Sequence, residues 1–316
     1  MSIKRFQDYL EKNSLDKKTH QLECVKWCLK KELFGNVCEG KIIKGGLIAD
    51  EMGLGKTIQM IGTMICNKLK TLIVVPRCLL EQWTKFIKET TDFSILIYHG
   101  KDREKDIENI KKYDIVLTTY NLIILNTKKR DFYLQNITWN RIIFDEAHHM
   151  RNNNTNIFKG AKKLESNIRW LLTGTPIQNS KKDFYNLCEQ IGIPNKYYTN
   201  PTNLYNIINS FIIKRTKQDI DLKLPNIYFN EITVDWESDE EKKLAEEIHS
   251  VLSFSNLKNS PLKIANQLGN NHLPLMIRAK QSCIYPNLLK KSIITRLSNK
   301  NEPSGFCKTG IFPRGF

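Results

Sequence analysis

Short apolar runs alternate with amphipathic stretches between Gly46 and Thr173. The runs read GLIAD, TLIVV, SILIY, DIVLTT, RIIFD and RWLLTG. Runs this short, bounded by breakers, suit strands buried on both faces. Between them Thr57–Lys68 and Leu79–Glu89 carry a helical pattern. Strands joined by helical crossovers predict an α/β fold with a doubly wound parallel sheet. Ligands of such sheets bind at the carboxyl ends of the strands. The pattern changes after about Ser180. Lys181–Ile191 and Pro201–Ile213 are expected to be helices, Ile227–Trp236 a strand, and Ser238 the start of a helix reaching about Leu252. Ser238 and Glu241 fit a capping box. The picture is a sheet domain with a mostly helical appendage, then a loop-like tail from about Lys300 containing Pro303, Gly305, Gly310, Pro313 and Gly315.

Two segments at strand ends carry candidate chemistry. The first, Asp50-Glu51-Met52-Gly53-Leu54-Gly55-Lys56-Thr57, follows GLIAD and opens a helix. A glycine-rich turn lets backbone N–H groups approach phosphate oxygens, and a helix N-terminus favours their charge. Lys56 is then assigned to the β and γ phosphates and the Thr57 hydroxyl to Mg²⁺. The strict pattern has glycine where this chain has Asp50, which points to the helicase-like branch of such loops. The second segment, Asp145-Glu146-Ala147-His148, ends the run RIIF. Asp145 is the candidate magnesium acid, and Glu146 the group that polarises an attacking water. Together the segments predict ATP and Mg²⁺. His148 and His149 lack obvious metal co-ligands, so polar coupling or plain surface suits them better.

Composition adds a partner. The 316 residues carry a formal charge of +16, which favours a polyanion such as nucleic acid. A Lys, Asn and Ile bias from an AT-rich gene gives part of the same signal. The longest apolar run, Ile115 to Leu125, is interrupted by Thr118, Thr119 and Asn121 and is too short to span a bilayer. The N-terminus lacks the apolar stretch of a signal peptide. Eight scattered cysteines form no CxxC pair. Reduced thiols in an intracellular, soluble protein are expected.

Several blocks in order resemble the Swi/Snf-type ATPases of helicase superfamily 2. Lys18-Thr19-His20-Gln21-Leu22 through Trp27 is similar to the family's glutamine motif, with His20 where tyrosine is usual. DEMGLGKT at Asp50–Thr57, Leu72–Pro76 through Gln82-Trp83, Tyr113–Tyr120, Arg141–Asn152 and LTGTPIQN at Leu172–Asn179 follow. Ile213–Lys217, Leu224-Pro225 and Arg278–Gln281 through Pro286 extend the likeness to roughly residues 15–290. The resemblance implies a RecA-like lobe of the P-loop NTPase class acting on double-stranded DNA. It implies a role for Gln21 at the adenine edge beside Asp50, Gly53, Gly55, Lys56 and Thr57. It implies phosphate contacts by Arg77, Thr118, Thr119, Lys214 and Arg215, and coupling of hydrolysis to movement by Thr173, Gly174 and Thr175. Lys214, Arg215 and Lys217 fit a solvated face equally well. Trp83, Trp139 and Trp170 read first as packing residues.

The expected organisation is an N-terminal extension (1–15), a first RecA-like lobe (16–180), a helical protrusion and linker (181–290) and a tail (291–316). The family's second lobe, which supplies arginines to the transition state, is absent from the pattern and is expected in cis in a longer chain or in trans. The expected function is that of a DNA-dependent ATPase or translocase in chromatin remodelling or DNA repair. Chromatin or repair proteins would be its partners, in the nucleus or at a viral replication site. A non-catalytic ATP-dependent binding module and an RNA helicase are the alternatives. Little hydrolysis is expected of this chain alone.

Overall fold

The computed structural model describes residues 3–100, 109–124, 133–178 and 180–220, with 228–236, 238–240, 242–243, 277 and 280 beyond them. Two compact units divide the chain, Met1–Leu224 and Pro225–Phe316. The first contains a mostly parallel sheet in the order β1-β2-β7-β6-β3-β5-β4. Its strands are β1 (Asn36–Cys38), β2 (Lys41–Ile48), β3 (Thr71–Val75), β4 (Ile95–Ile97), β5 (Ile115–Thr119), β6 (Thr138–Asp145), β7 (Glu165–Leu172) and β8 (Ile212–Ile213). β1 pairs antiparallel with β2, and β8 pairs in parallel with the last two residues of β2. Every other ladder is parallel.

Alternation along the strands divides the core between two faces. Leu72, Val74, Val116, Ile142, Phe144 and Leu171 belong to one buried cluster. It includes residues of α5 (Asn156–Lys163), α6 (Lys181–Ile191), α7 (Asn195–Thr199) and α8 (Leu204–Phe211). Ile48, Ile73, Val75, Leu117, Ile143 and Trp170 belong to the other. Its helices are α1 (Lys4–Lys12), α2 (Thr19–Leu33), α3 (Lys56–Cys66) and α4 (Leu80–Thr90). β3 and β5 are buried along their whole length, apolar except for Thr71, Thr118 and Thr119.

Within residues 1–15, Phe6 and Leu10 of α1 are fully buried and Phe6 packs against Gly62 of α3. The first compact unit runs on past residue 180 to Leu224. α6 continues the sheet's own core through Phe184, Leu187 and Ile191. The second expected helix ends at Phe211, where Ile212–Ile213 joins the sheet. In the second unit, residues 228–236 form no strand. There Lys242 N–H donates to the Ser238 carbonyl at 3.2 Å, as a helical turn would. Glu241, Leu224-Pro225, Asn179, most of Arg278–Pro286 and the tail lie outside the described residues.

Candidate nucleotide site at the carboxyl ends of the strands

Strand register brings the two key segments together. Ile48 of β2 pairs with Leu172 of β7, and Leu172 pairs with Asp145 of β6. The Asp50–Thr57 loop and the Asp145–Glu146 pair therefore leave the sheet on either side of β7, about 10 Å apart at two strand spacings. Electrostatics agree. Burial pushes the Asp145 carboxyl above its ordinary range and the neighbouring Glu146 adds to the rise, while the Lys56 ammonium pulls it down.

The loop is built for close approach. Gly53 and Gly55 are left-handed, with φ of +91° and +86°. The left-handed backbone at Gly55 favours glycine, and a Cβ there would lie 2.4 Å from the Gln21 amide nitrogen. The Leu54 carbonyl has three side-chain neighbours: His20 Nε2 at 3.1 Å, with Gln21 Nε2 and Gln59 Nε2 donating at 3.3 Å. Gln21, expected at the adenine edge, thus braces the loop in this structure. Lys56 opens α3 and its Nζ donates to the Asp50 carbonyl at 2.9 Å. Lys56 and Thr57 are half-buried on the first turn of α3.

The acidic pair is held as tightly. Trp83 Nε1 donates to Asp145 Oδ2 at 2.7 Å, and Glu146 N–H donates to Oδ1 at 3.0 Å. The Tyr120 hydroxyl donates to the Asp145 carbonyl at 2.7 Å. Glu146 has a left-handed backbone, φ +50°, uncommon for a side-chain-bearing residue. Strain of this kind concentrates at functional sites.

Thr173–Thr175 fills the gap between the two segments. Thr173 N–H donates to the Ile48 carbonyl at 3.1 Å. Gly174 packs against Met52 and the Asp50 carbonyl. Thr175 N–H donates to Thr173 Oγ1 at 3.2 Å. His148 Nδ1 lies 3.1 Å from Glu146 Oε2 and 3.4 Å from Thr173 Oγ1, so its imidazole bridges the acid and the β7 loop. His149 stacks on His148 and lies tilted against Tyr120, and burial lowers its pKa. No cluster of three or more metal-ligating side chains occurs among the described residues.

The residues expected to touch nucleic acid divide. Arg77 and Lys214 are exposed. Thr118 and Thr119 are both buried at the end of β5. Thr118 Oγ1 donates to the Tyr98 carbonyl at 3.0 Å, and Thr119 Oγ1 lies 3.4 Å from His99 Nδ1. Arg215 turns inward and pairs with Asp50. The Asp50 carboxylate is in turn wholly buried and does not face the open side of the loop. Trp139 donates to the Leu134 carbonyl and Trp170 to Glu32, both within the core. Trp83, read as a packing residue, is buried in the core and also gives its indole N–H to Asp145, since a buried indole needs a partner.

The profile of the SNF2-related domain matches residues 20–201. This chain belongs to the SNF2-related family. Human helicase-like transcription factor is 30% identical over 266 residues, covering 74% of this chain and 25% of that protein. The Arabidopsis thaliana ATP-dependent DNA helicase DDM1 is 27% identical over 327 residues, covering 87% of this chain and 40% of that protein. The solved Sulfolobus solfataricus SWI2/SNF2 ATPase core in complex with dsDNA is similar at 26% identity and a TM-score of 0.56, covering 87% of this chain and 60% of that one. The chain spans only part of its curated relatives, for example 15% of Arabidopsis thaliana DNA repair protein RAD5B and 56% of a probable global transactivator of Orgyia pseudotsugata multicapsid polyhedrosis virus. No described helix of this SNF2-related chain is long and apolar enough to cross a membrane.

Proposed function

We propose that the chain is the nucleotide-binding lobe of a DNA-dependent ATPase that moves along duplex DNA. The observation that carries this reading is the in-register arrival of β2, β7 and β6. It sets Lys56 and Asp145–Glu146 around Thr173–Thr175, in a family whose members include proteins named as ATP-dependent helicases. Backbone N–H groups around Gly53, Gly55 and Thr57 would cradle the phosphates of ATP. Lys56 would leave the Asp50 carbonyl for the β and γ oxygens. Glu146 would orient the attacking water and accept its proton.

The donor set fits a magnesium ion. Asp145 is a buried carboxyl whose charge is incompletely offset within the protein, and the half-buried Thr57 stands across the gap. Asp145 and Thr57 would hold the ion, which neutralises charge on the phosphates. Few protein ligands are required, since Mg²⁺ keeps waters and binds substrate phosphates. The Thr173–Gly174–Thr175 segment touches both loops, Gly174 at Met52 and Asp50 and Thr173 at His148, and would report the state of Glu146 through His148.

Arg77 and Lys214 are the candidate contacts to DNA phosphates, which position the protein without reading sequence. The charge of +16 favours that partner. The described residues make one α/β series, so on this reading the transition-state arginines come from a second lobe, in cis or in trans. Such arginines are worth roughly 10³–10⁵ in rate in related phosphoryl transfers. Residues 16–180 would form the first lobe, with the chain beyond leading to the protrusion. The proposed setting is chromatin remodelling or DNA repair, in a nucleus or at a viral replication site.

Phosphate release by the 316-residue chain, with no nucleic acid, duplex DNA or RNA, tests the proposal. Slow turnover stimulated more by duplex DNA than by RNA is expected. A preference for RNA would overturn the choice of partner, and robust DNA-stimulated turnover by this chain would overturn the need for a second lobe.

A further inference from the structure

A basic segment far along the chain runs beside the phosphate-loop candidate. β8 extends the edge of β2, and the pairing continues past it: Ala49 N–H donates to the Ile213 carbonyl at 2.7 Å and Glu51 N–H to the Arg215 carbonyl at 2.9 Å. Lys217 N–H then donates to the Glu51 carboxylate at 2.8 Å. From this strap the Arg215 guanidinium reaches into the loop. Its Nε donates to Asp50 Oδ1 at 3.1 Å and its Nη2 to Oδ2 at 2.5 Å, while Nη1 donates to the His20 carbonyl. Gln59 donates to the same Asp50 carboxylate at 3.0 Å.

Asp50 presents an electrostatic problem. Its carboxylate has no exposed surface, and its own carbonyl accepts from Lys56. The strict phosphate-loop pattern has a neutral glycine at this position. An uncompensated carboxylate here would repel a triphosphate and compete with it for the Lys56 ammonium. The two-pronged pairing with Arg215 supplies the compensation, and it is the strong, directional kind.

We propose that Arg215 is a positioning residue for the nucleotide site: it neutralises Asp50 and so leaves Lys56 and the loop N–H groups free for phosphate. This assignment rests on the ATP-binding reading above. It also explains how a side chain from a basic run serves the site without touching nucleic acid.

The test is a titration of the whole chain with a fluorescent N-methylanthraniloyl derivative of ATP in Mg²⁺, with thermal unfolding run in parallel. Arg215→Gln should weaken binding by about tenfold or more, the scale of a lost charged hydrogen bond. Arg215→Lys keeps the charge without the fork and should recover part of that loss. Asp50→Asn combined with Arg215→Gln removes both charges and should recover most of it. Wild-type affinity in a folded Arg215→Gln protein would overturn the proposal, as would a folded double variant no better than the single one. If Arg215→Gln does not fold, the double variant decides alone: affinity within a few-fold of wild type supports the role and a tenfold loss refutes it. Failure of the unaltered chain to bind the probe would instead refute the nucleotide site, and this role with it.

Discussion

Two buried polar clusters are set on the same strands, one around Arg141 and one around Asp145 at the carboxyl end of β6, and they use their polar groups differently. In the first, Glu32 and Arg141 form an ion pair with both side chains wholly buried. Arg141 donates twice to the Glu32 carboxylate at 2.6 Å, and also to Thr71 Oγ1 and the Asn67 carbonyl. Trp170 and Asn67 donate to the same carboxylate at 2.8 and 2.7 Å. This cluster joins α2, β3, β6 and β7, and its hydrogen bonds close on themselves. At the carboxyl ends the account does not close. Asp145 is driven up by burial and by Glu146, Lys56 rests on a carbonyl, and Glu146 holds a strained backbone. The closed network fixes the strands, and the open one is left with charge to offer a ligand.

That contrast is broken most severely at its closed end. Glu32→Ala leaves Arg141 buried without its acid and should cost about 3–5 kcal/mol in urea unfolding. Replacing both partners with methionine should recover most of that loss, because the penalty lies in the orphaned charge. Recovery would show the network to be a means of fixing strand positions; a double variant as unstable as the single one would show the pair itself to be indispensable.

The next effect in size concerns the tie to Asp145. Trp83→Phe keeps the buried ring but removes the indole donor. A stability loss of about 1–3 kcal/mol is expected, as for a hydrogen bond to a charged group. Hydrolysis should become more demanding of Mg²⁺ concentration, since Asp145 loses its orientation. An unchanged Mg²⁺ requirement would return Trp83 to a packing role.

The smallest effect carries the most telling sign. Burial first, and Glu146 after it, hold the Asp145 carboxyl above the usual carboxylate range. A carboxyl that keeps its proton more firmly folded than unfolded stabilises the fold below its ordinary pKa. That contribution is lost as pH rises through the raised folded value. Asp145→Asn should therefore melt slightly higher than wild type at neutral pH, with the difference vanishing on the acid side, while ATP turnover disappears. A lower melting temperature at neutral pH would contradict this assignment of strain to the site.

Much of this architecture is written locally in the chain. The central parallel strands follow from short runs such as TLIVV and IVLTT, apolar except for threonine, because a strand covered on both faces has no strongly polar side to blur the pattern. Gly53, Gly55, Lys56, Thr57, Asp145 and Glu146 are legible because strand, turn and helix recur in fixed order around them. What escaped was non-local. β8 was hidden because Phe211-Ile212-Ile213 continues the apolar pattern of α8. α1 was hidden by its charges, although Phe6 and Leu10, one helical turn apart, mark its buried face. Arg215 looked like a surface base because its partner, Asp50, is 165 residues away. Thr118 and Thr119 end a strand near the site, but which way a strand-end hydroxyl points depends on the neighbouring chain around Tyr98 and His99.

Calorimetric titration with ATP bears most directly on the site. It should be run on wild type, Lys56→Ala and Asp145→Asn, each with Mg²⁺ and with EDTA. The account predicts saturable binding by wild type that weakens without Mg²⁺, loss of binding in Lys56→Ala, and loss of the Mg²⁺ effect in Asp145→Asn. Equal affinity in all three proteins, indifferent to Mg²⁺, would show that the two strand ends do not share one ligand.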